Sequence, residues 1–321
     1  MKPTAFSGLD TPLGRLASRI YGGLRHVDRL YRTAGPPLAS PLPTISVGNI
    51  VVGGTGKTAM IAWLAERFSQ RGLRPVVLSR GYRGREAGPA QVAAPFDPHR
   101  YGDEPVMLAR RGIDVWVAKK RELALELAAR DHDVILLDDG FQRIEIARDL
   151  DLVMFGAQGL GNGRLLPAGI LRDPPSELAR ADALCGPPEH LPPLFPELPR
   201  FAFGYRGLRF LPAPPRPPVA ALAAIAQPET FFSLLERQGI SLAHRFALPD
   251  HDPLGPHTRR DVRRICQRKG IRTLVVTEKD AVKIDATRLP VDMVVAVGDF
   301  GPLDEDHAAA FERFLYARLA L

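Results

Sequence analysis

Residues 45–58 read I-S-V-G-N-I-V-V-G-G-T-G-K-T, which has the form of a phosphate-binding loop between a strand and a helix. β-branched residues precede the glycines, and apolar residues at helical spacing follow from Ala59 to Phe68. Glycines let backbone N–H groups turn toward phosphate oxygens, and a helix N-terminus adds partial positive charge. Lys57 would reach the outer phosphates, and the Thr58 hydroxyl would hold Mg²⁺. We therefore expect a nucleoside triphosphate to bind here, on Gly53, Gly54, Thr55, Gly56, Lys57 and Thr58.

The loop departs from the usual pattern, which has a glycine where this chain has Val51. The Gly53-Gly54 pair resembles the variant loops of the ATPases that include the septum-site regulators. Those proteins carry a lysine just before the glycine pair, where this chain has Val52. A glycine-rich turn without a ligand is the alternative to a nucleotide site.

The composition of the 321-residue chain is that of a globular protein, with 45% hydrophobic and 25% charged residues. The net charge of +7 favours an anionic partner, such as a phosphorylated substrate or an acidic membrane surface. We expect no nucleic-acid partner, because no basic patch is interleaved with aromatic residues. Cys185 and Cys266 lack metal-ligand spacing and indicate a reducing compartment. We find no sign of a signal peptide, a membrane-spanning run or an obligate protein partner.

The first 35 residues have the pattern of a basic amphipathic helix. The apolar positions are Leu13, Leu16, Ala17, Ile20, Tyr21, Leu24, Val27 and Tyr31. The other side carries Arg15, Arg19, Arg25, Arg29 and Arg32. Such a helix can lie in an anionic membrane interface. Alternatively, it packs its apolar stripe on the protein body and leaves its arginines in solvent.

Strand patterns alternate with helix patterns along the rest of the chain, which predicts an α/β fold. We expect a P-loop NTPase-like parallel-sheet domain over residues 36–200 and a second, smaller α/β domain over residues 201–321. The proline-dense segment 187–218 is interpreted as a linker. The C-terminal helix could pack back on the first domain.

Several loops carry residues suited to phosphate chemistry. The apolar run Val134–Leu137 ends in Asp138 and Asp139, a pattern typical of a carboxylate pair that binds Mg²⁺ near a phosphate loop. A strand cap is the alternative for this pair. The loop 165–174 could bind an anionic substrate through its Arg and Asp, or simply turn the chain. Residues 277–280, T-E-K-D, fail the guanine-specificity pattern in either register, which favours ATP over GTP.

Taken together, these segments resemble the tetraacyldisaccharide 4′-kinases of lipid A synthesis. The matching motifs run in family order: the phosphate loop, then L-S-R-G-Y, Y-G-D-E-P, L-D-D-G-F-Q, R-D-L-D-L-V, G-N-G-R-L-L-P-A-G-I-L-R-D-P, D-H-D and T-E-K-D-A-V-K. The resemblance implies transfer of the ATP γ-phosphate to the 4′-hydroxyl of a tetraacyldisaccharide 1-phosphate, a glycolipid. It also implies two α/β/α domains that close over the nucleotide, and an N-terminal segment associated with the membrane. Because this segment is less hydrophobic than a membrane-spanning one, we predict peripheral attachment, on the cytoplasmic face of the bacterial inner membrane.

Site residues follow from the resemblance position by position. Asp103 matches the proposed catalytic base, and His251 matches the histidine that pairs with it. Lys57 belongs with them as a catalytic residue, because it would stabilise the phosphates. The implied metal ligands are Thr58, Asp138 and Asp139, with Glu104 and Asp173 as weaker candidates.

The chain also differs from the family pattern. Arg143 replaces a histidine, Asp173 replaces a glutamate and is one methylene shorter, and Asp252 stands where many members have histidine or an aromatic residue. A membrane-associated regulatory ATPase that phosphorylates no acceptor is the alternative function.

Overall fold

A computed structural model of the chain describes residues 10–319. Their strands form one sheet in the order β10-β9-β11-β12-β8-β7-β6-β1-β5-β2-β4-β3. The strands are β1 Thr44–Gly48, β2 Pro75–Ser79, β3 Ala90–Gln91, β4 Asp114–Val117, β5 Val134–Asp138, β6 Leu150–Met154, β7 Ala183–Gly186, β8 Arg200–Leu211, β9 Val219–Ala223, β10 Leu242–Ala247, β11 Thr273–Thr277 and β12 Asp292–Pro302. The α-helices are α1 Pro12–Arg32, α2 Lys57–Gln70, α3 Pro98–Tyr101, α4 Asp103–Arg110, α5 Leu125–Ala129, α6 Pro228–Arg237, α7 Pro256–Arg268, α8 Glu278–Ala281 and α9 Glu305–Leu319.

The first half of the chain builds a parallel sheet around β1. This strand lies between β5 and β6, and β2 lies beyond β5, all of them parallel. Their side chains are buried on both faces, as continuous apolar strands in a covered parallel sheet must be. The carboxyl ends of β1, β2 and β5 therefore meet at one edge, where the loops with polar side chains follow.

The second half adds β9, β10 and β11, which are parallel, and joins the first half through β8. Strand β8 pairs parallel with β7 and antiparallel with β12, so the sheet is continuous. This strand corrects the linker predicted over residues 187–218. The prolines of that segment flank residues 200–211, which contain none, and this proline-free stretch extends as a strand.

The C-terminal helix α9 packs on the first half of the chain. Its buried side chains Phe311 and Leu315 belong to the same apolar core as Trp63 and Phe68 of α2. The predicted boundary at 200/201 coincides with the start of β8. The division into domains remains a prediction, and its residues 1–9 and 320–321 lie outside the part described.

Helix α1 lies on the body with its polar side inward. Thr11 caps its N-terminus by accepting a hydrogen bond from the Gly14 N–H. Most of the predicted apolar stripe points to solvent, with more than half of each of these side chains exposed: Leu13, Leu16, Ile20, Leu24, Val27 and Tyr31. Leu30, which was not predicted to belong to the stripe, is exposed as well. The alternative in which this stripe packs on the body therefore does not hold. Among residues 10–319, no helix has the length and apolarity that crossing a membrane requires.

Candidate active site

The phosphate loop leaves β1 at Gly48 and ends where α2 begins at Lys57. Gly53 and Gly56 have φ values of 106° and 86°, a backbone region that glycine adopts without strain. A Cβ atom added at Gly53 would meet nothing within 4 Å, so open space lies above the loop. The buried Asn49 side chain fixes the base of the loop by donating to Thr55 Oγ1 at 3.0 Å. The loop thus combines free space with a helix N-terminus, the arrangement that binds phosphate groups.

Lys57 reaches Asp139, which directly follows β5. Its Nζ lies 3.5 Å from Asp139 Oδ1. Arg172 donates to both carboxylate oxygens of Asp139 at 3.1 Å. Burial opposes ionisation of Asp139, but the charges of Lys57 and Arg172 outweigh it and hold its pKa well below the ordinary value. Asp139 therefore balances the positive charge of Lys57, the lysine that is predicted to hold phosphates.

Asp138 is buried and incompletely hydrogen-bonded. One of its oxygens accepts from Ser79 Oγ at 2.8 Å, and the other has no hydrogen-bond partner. Burial, together with the negative charges of Glu104 and Asp139, raises the pKa of Asp138 to about 6. A buried carboxylate with a free oxygen among other carboxylates suits a divalent cation.

The Thr58 hydroxyl donates a hydrogen bond to Glu104 Oε2 at 2.8 Å. Glu104 is one of the two carboxylates whose charges act on Asp138. Within the described part of the chain, no three His, Cys, Asp or Glu side chains converge enough to hold a metal ion by themselves.

Asp103 and His251 form the pair that the resemblance implies. Asp103 is the first residue of α4, and His251 lies on the loop after β10, 148 positions further along the chain. His251 Nδ1 lies 3.1 Å from Asp103 Oδ2, and both side chains are largely buried. Burial opposes ionisation of Asp103, but the hydrogen bond from His251 and the charges of Lys283 and Lys279 lower its pKa.

Lys279 completes this cluster and was not recognised from the sequence. Its Nζ lies 3.1 Å from His251 Nε2 and 3.1 Å from Glu104 Oε1. An ammonium group can only donate, so His251 Nε2 accepts and Nδ1–H donates to Asp103. Lys279 therefore fixes the histidine tautomer that orients the base. The available sequence signal was that residues 277–280 belong to the family motif T-E-K-D-A-V-K.

A buried carboxylate anchors the short helix α8, which carries Lys279. Asp280 Oδ2 accepts from the Ala224 N–H at 3.0 Å and from Thr277 Oγ1 at 2.7 Å. Its Oδ1 lies 2.7 Å from Nζ of Lys283, which is also 3.9 Å from Asp103. Through these contacts, the ends of β9 and β11 are connected to the Asp103–His251 pair.

The structure does not bring Asp173 into this cluster, and its role as a metal ligand stays a prediction. Arg25 of α1 binds Asp173 Oδ1 at 2.6 Å, and Gln142 donates to Oδ2 at 2.7 Å. Both oxygens are thus occupied between α1 and the body. Its neighbour Arg172 is the residue of that loop which reaches Asp139. The sequence suggested Arg172 only as an anion-binding residue of its loop, and Gln142, Asn49 and Ser79 lie in matching motifs without an assigned role. Their roles depend on contacts between distant loops.

Comparison with known proteins agrees with this geometry. The profile of the family described as tetraacyldisaccharide-1-P 4′-kinase (LpxK) matches residues 11–315. A tetraacyldisaccharide 4′-kinase of Dechloromonas aromatica (strain RCB) is 41% identical over 283 residues, covering 82% of this chain and 81% of the relative. One from Rhodopseudomonas palustris (strain BisB18) is 38% identical over 334 residues, covering 99% and 93%.

A solved structure is also similar. The crystal structure of LpxK from Aquifex aeolicus in complex with ATP matches with a TM-score of 0.73 at 27% identity. The match covers 94% of this chain and 97% of that one. The predicted fold class and family resemblance are confirmed: this chain belongs to the tetraacyldisaccharide-1-P 4′-kinase family.

Proposed function

We propose that this chain transfers the γ-phosphate of ATP to the 4′-hydroxyl of a tetraacyldisaccharide 1-phosphate in lipid A biosynthesis. The observation that carries the proposal is the position of the Asp103–His251 pair beside the phosphate loop. Glu104, which follows Asp103 in α4, accepts a hydrogen bond from the hydroxyl of Thr58 at the start of α2. An acceptor hydroxyl on Asp103 would therefore lie close to the outer phosphate of a nucleotide in the loop.

The reaction is an in-line displacement at the γ-phosphorus. The acceptor oxygen forms the new P–O bond, the bond to the β–γ bridging oxygen breaks, and ADP leaves with that electron pair. Asp103 accepts the proton of the hydroxyl. His251 orients the carboxylate through Nδ1–H, and Lys279 holds the histidine in that tautomer.

Charge stabilisation comes from the phosphate loop. Lys57 would exchange its ion pair with Asp139 for the phosphates, where negative charge develops. Thr58, Asp138, Asp139 and Glu104 would hold Mg²⁺, which supplies further charge neutralisation at the phosphates. The unpartnered buried oxygen of Asp138 supports this assignment.

We further propose that α1 attaches the protein peripherally to the cytoplasmic face of the inner membrane. The apolar side of α1 faces solvent, while Arg25, Arg29 and Arg32 pair with acidic residues of the body. An exposed apolar stripe of this length is typical of an interfacial helix. A lipid acceptor would be met at that surface.

The test is phosphate transfer from γ-labelled ATP to the acylated disaccharide 1-phosphate in detergent micelles with Mg²⁺. We expect label in the lipid, its loss in Asp103→Ala, and normal transfer in Asp261→Asn, a substitution at an exposed aspartate of α7. Label released only as free phosphate, whether or not lipid is present, would instead support the regulatory ATPase. The relatives are named as kinases, which favours transfer over that alternative.

A further inference from the structure

We infer that Arg25 of α1 is a positioning residue for phosphate transfer, acting on Asp139 and Lys57 through Asp173, Gln142 and Arg172. The membrane-facing helix would then be part of the support of the catalytic site as well as an anchor. This inference rests on the proposed function, because its main readout is the turnover of phosphate transfer.

The first link joins α1 to the body. Arg25 donates to Asp173 Oδ1 through both Nε at 3.0 Å and Nη2 at 2.6 Å. The Asp173 side chain is only 6% exposed, and Arg25 is a cationic partner in direct contact with it. Removing one member of such a pair leaves an uncompensated buried charge, which forces its surroundings to rearrange.

The second link passes through Gln142, which follows β5. Its Nε2 donates to Asp173 Oδ2 and to the Asn49 carbonyl, each at 2.7 Å. Its Oε1 accepts from Arg172 Nη2 at 3.1 Å. Because the amide nitrogen is held by two acceptors, its oxygen must point at Arg172. Asp173 thereby orients the amide that holds the guanidinium.

The third link reaches the phosphate loop. Arg172 contacts both oxygens of Asp139 and also donates to Asn49 Oδ1, each at 3.1 Å. Asn49 in turn binds Thr55 of the loop, and Asp139 binds Lys57. Tyr21 of α1 makes a parallel connection by donating to the Arg172 carbonyl at 3.0 Å. Loss of Arg25 would therefore displace Arg172 and, with it, Asp139 and Lys57.

Arg25 lies on the inward side of α1, so its effect on turnover can be separated from membrane binding. The matched control is Arg29, one turn further along the same helix. Arg29 feels the charge of Asp173 but forms its ion pair with Glu177, and Glu177 keeps Arg180 as a second partner at 2.9 Å. Arg29→Ala thus removes a similar helix–body ion pair without leaving a carboxylate unpaired.

The experiment compares Arg25→Ala, Arg25→Lys and Arg29→Ala in the full chain, in the micelle assay and in co-sedimentation with anionic phospholipid vesicles. We expect Arg25→Ala to lower kcat by about tenfold or more, from a displacement of the order of 1 Å. KM for the acceptor and vesicle binding should stay near wild type. Arg25→Lys should recover part of kcat, and Arg29→Ala should stay within about twofold of the wild-type kcat.

A purely structural role is distinguished by normalising kcat to the folded fraction, measured by circular dichroism and urea unfolding without nucleotide. The inference would be overturned if Arg25→Ala kept the wild-type kcat per folded molecule. It would also be overturned if Arg29→Ala lost as much kcat as Arg25→Ala. If Arg25→Ala does not fold, a kcat for Arg25→Lys equal to wild type would overturn it as well. Failure of the wild type to label the lipid would instead refute the proposed function.

Discussion

Asp103 shows how competing effects set the chemistry of one side chain. Burial disfavours its charge, yet the His251 hydrogen bond and nearby lysines lower its pKa, so the carboxylate is ionised at neutral pH. A lowered pKa makes it a weak base in isolation. The acceptor hydroxyl loses its proton only as the bond to phosphorus forms, however, and a correctly placed carboxylate is sufficient for that transfer.

We predict that Asp103→Asn lowers kcat by about 10²–10⁴-fold, the usual contribution of a general base. Asparagine keeps the size of the side chain and can still accept from His251, so affinity for ATP should change little. Steady-state kinetics of lipid phosphorylation, together with nucleotide titration, measure both quantities. A variant with near-normal kcat would show that Asp103 is not the base.

Asp138 allows a prediction about stability. Its pKa is raised from 3.8 to about 6 in the folded chain, so between these values the folded state binds more protons than the unfolded state. Stability from this group is therefore lost as the pH rises through that window. The shift of about two units corresponds to at most about 3 kcal/mol at neutral pH.

Asp138→Asn should consequently raise the free energy of unfolding at pH 7.5 by up to about 3 kcal/mol, while removing activity. The difference from wild type should shrink as the pH falls from about 6 to about 4 and vanish at lower pH, where the carboxylate is neutral in both states. Urea unfolding without nucleotide or Mg²⁺ measures it, with Asp261→Asn as an exposed control. A lower free energy of unfolding in Asp138→Asn than in wild type at pH 7.5 would contradict the burial of an uncompensated charge at Asp138.

At the scale of elements, the position of α1 and its two faces could be predicted from the sequence, but the face that contacts the body could not. Helical spacing predicts the helix and its two faces, and the structure begins it at Pro12. Spacing cannot tell which face meets the body, because arginines can pair with acidic residues that lie far along the chain. Here Glu145, Asp173 and Glu177 provide those partners, so the apolar face is left outward.

We predict that replacing Ile20 and Leu24 together by aspartate abolishes binding to anionic vesicles without lowering the melting temperature. Both side chains are more than half exposed, at 60% and 66%, so the folded body loses little packing. The lost insertion is worth about 0.8 kcal/mol for each buried methylene. Leu38→Asp, at an exposed leucine outside the helix, is the control for co-sedimentation. Unchanged vesicle binding would refute attachment through this face.

Among the strands, too, some could be predicted from the sequence and others could not. Apolar runs such as Val134–Leu137 predict buried strands correctly, because a strand covered on both faces needs apolar residues throughout. Strand β8 escaped detection because prolines flank it and its second half mixes glycines and arginines with apolar residues without a regular alternation. Its importance comes from pairing with two strands in opposite directions, which local sequence does not encode.

At the scale of the whole molecule, the site is assembled from both halves of one sheet. The phosphate loop and the Asp138–Asp139 pair could be found locally, since each is a strand end followed by polar residues. The Asp103–His251 contact joins residues 148 positions apart, and only the family resemblance indicated it beforehand. Lys279 and Arg172 were missed as site residues because each acts on a group supplied by a different loop.

The C-terminal helix gives the last prediction, because it belongs to the second half in sequence but closes the core of the first. Phe311 is fully buried, and its ring lies 4.9 Å from that of Phe203 and 5.7 Å from that of Trp63. Phe311→Ala should therefore lower the free energy of unfolding by about 3–5 kcal/mol, through lost burial and the cavity left behind. Urea unfolding followed by tryptophan fluorescence measures this change, and Leu303→Ala, at a partly exposed leucine, should cost less than about 1 kcal/mol. A loss in Phe311→Ala no larger than in Leu303→Ala would mean that α9 does not close this core in solution.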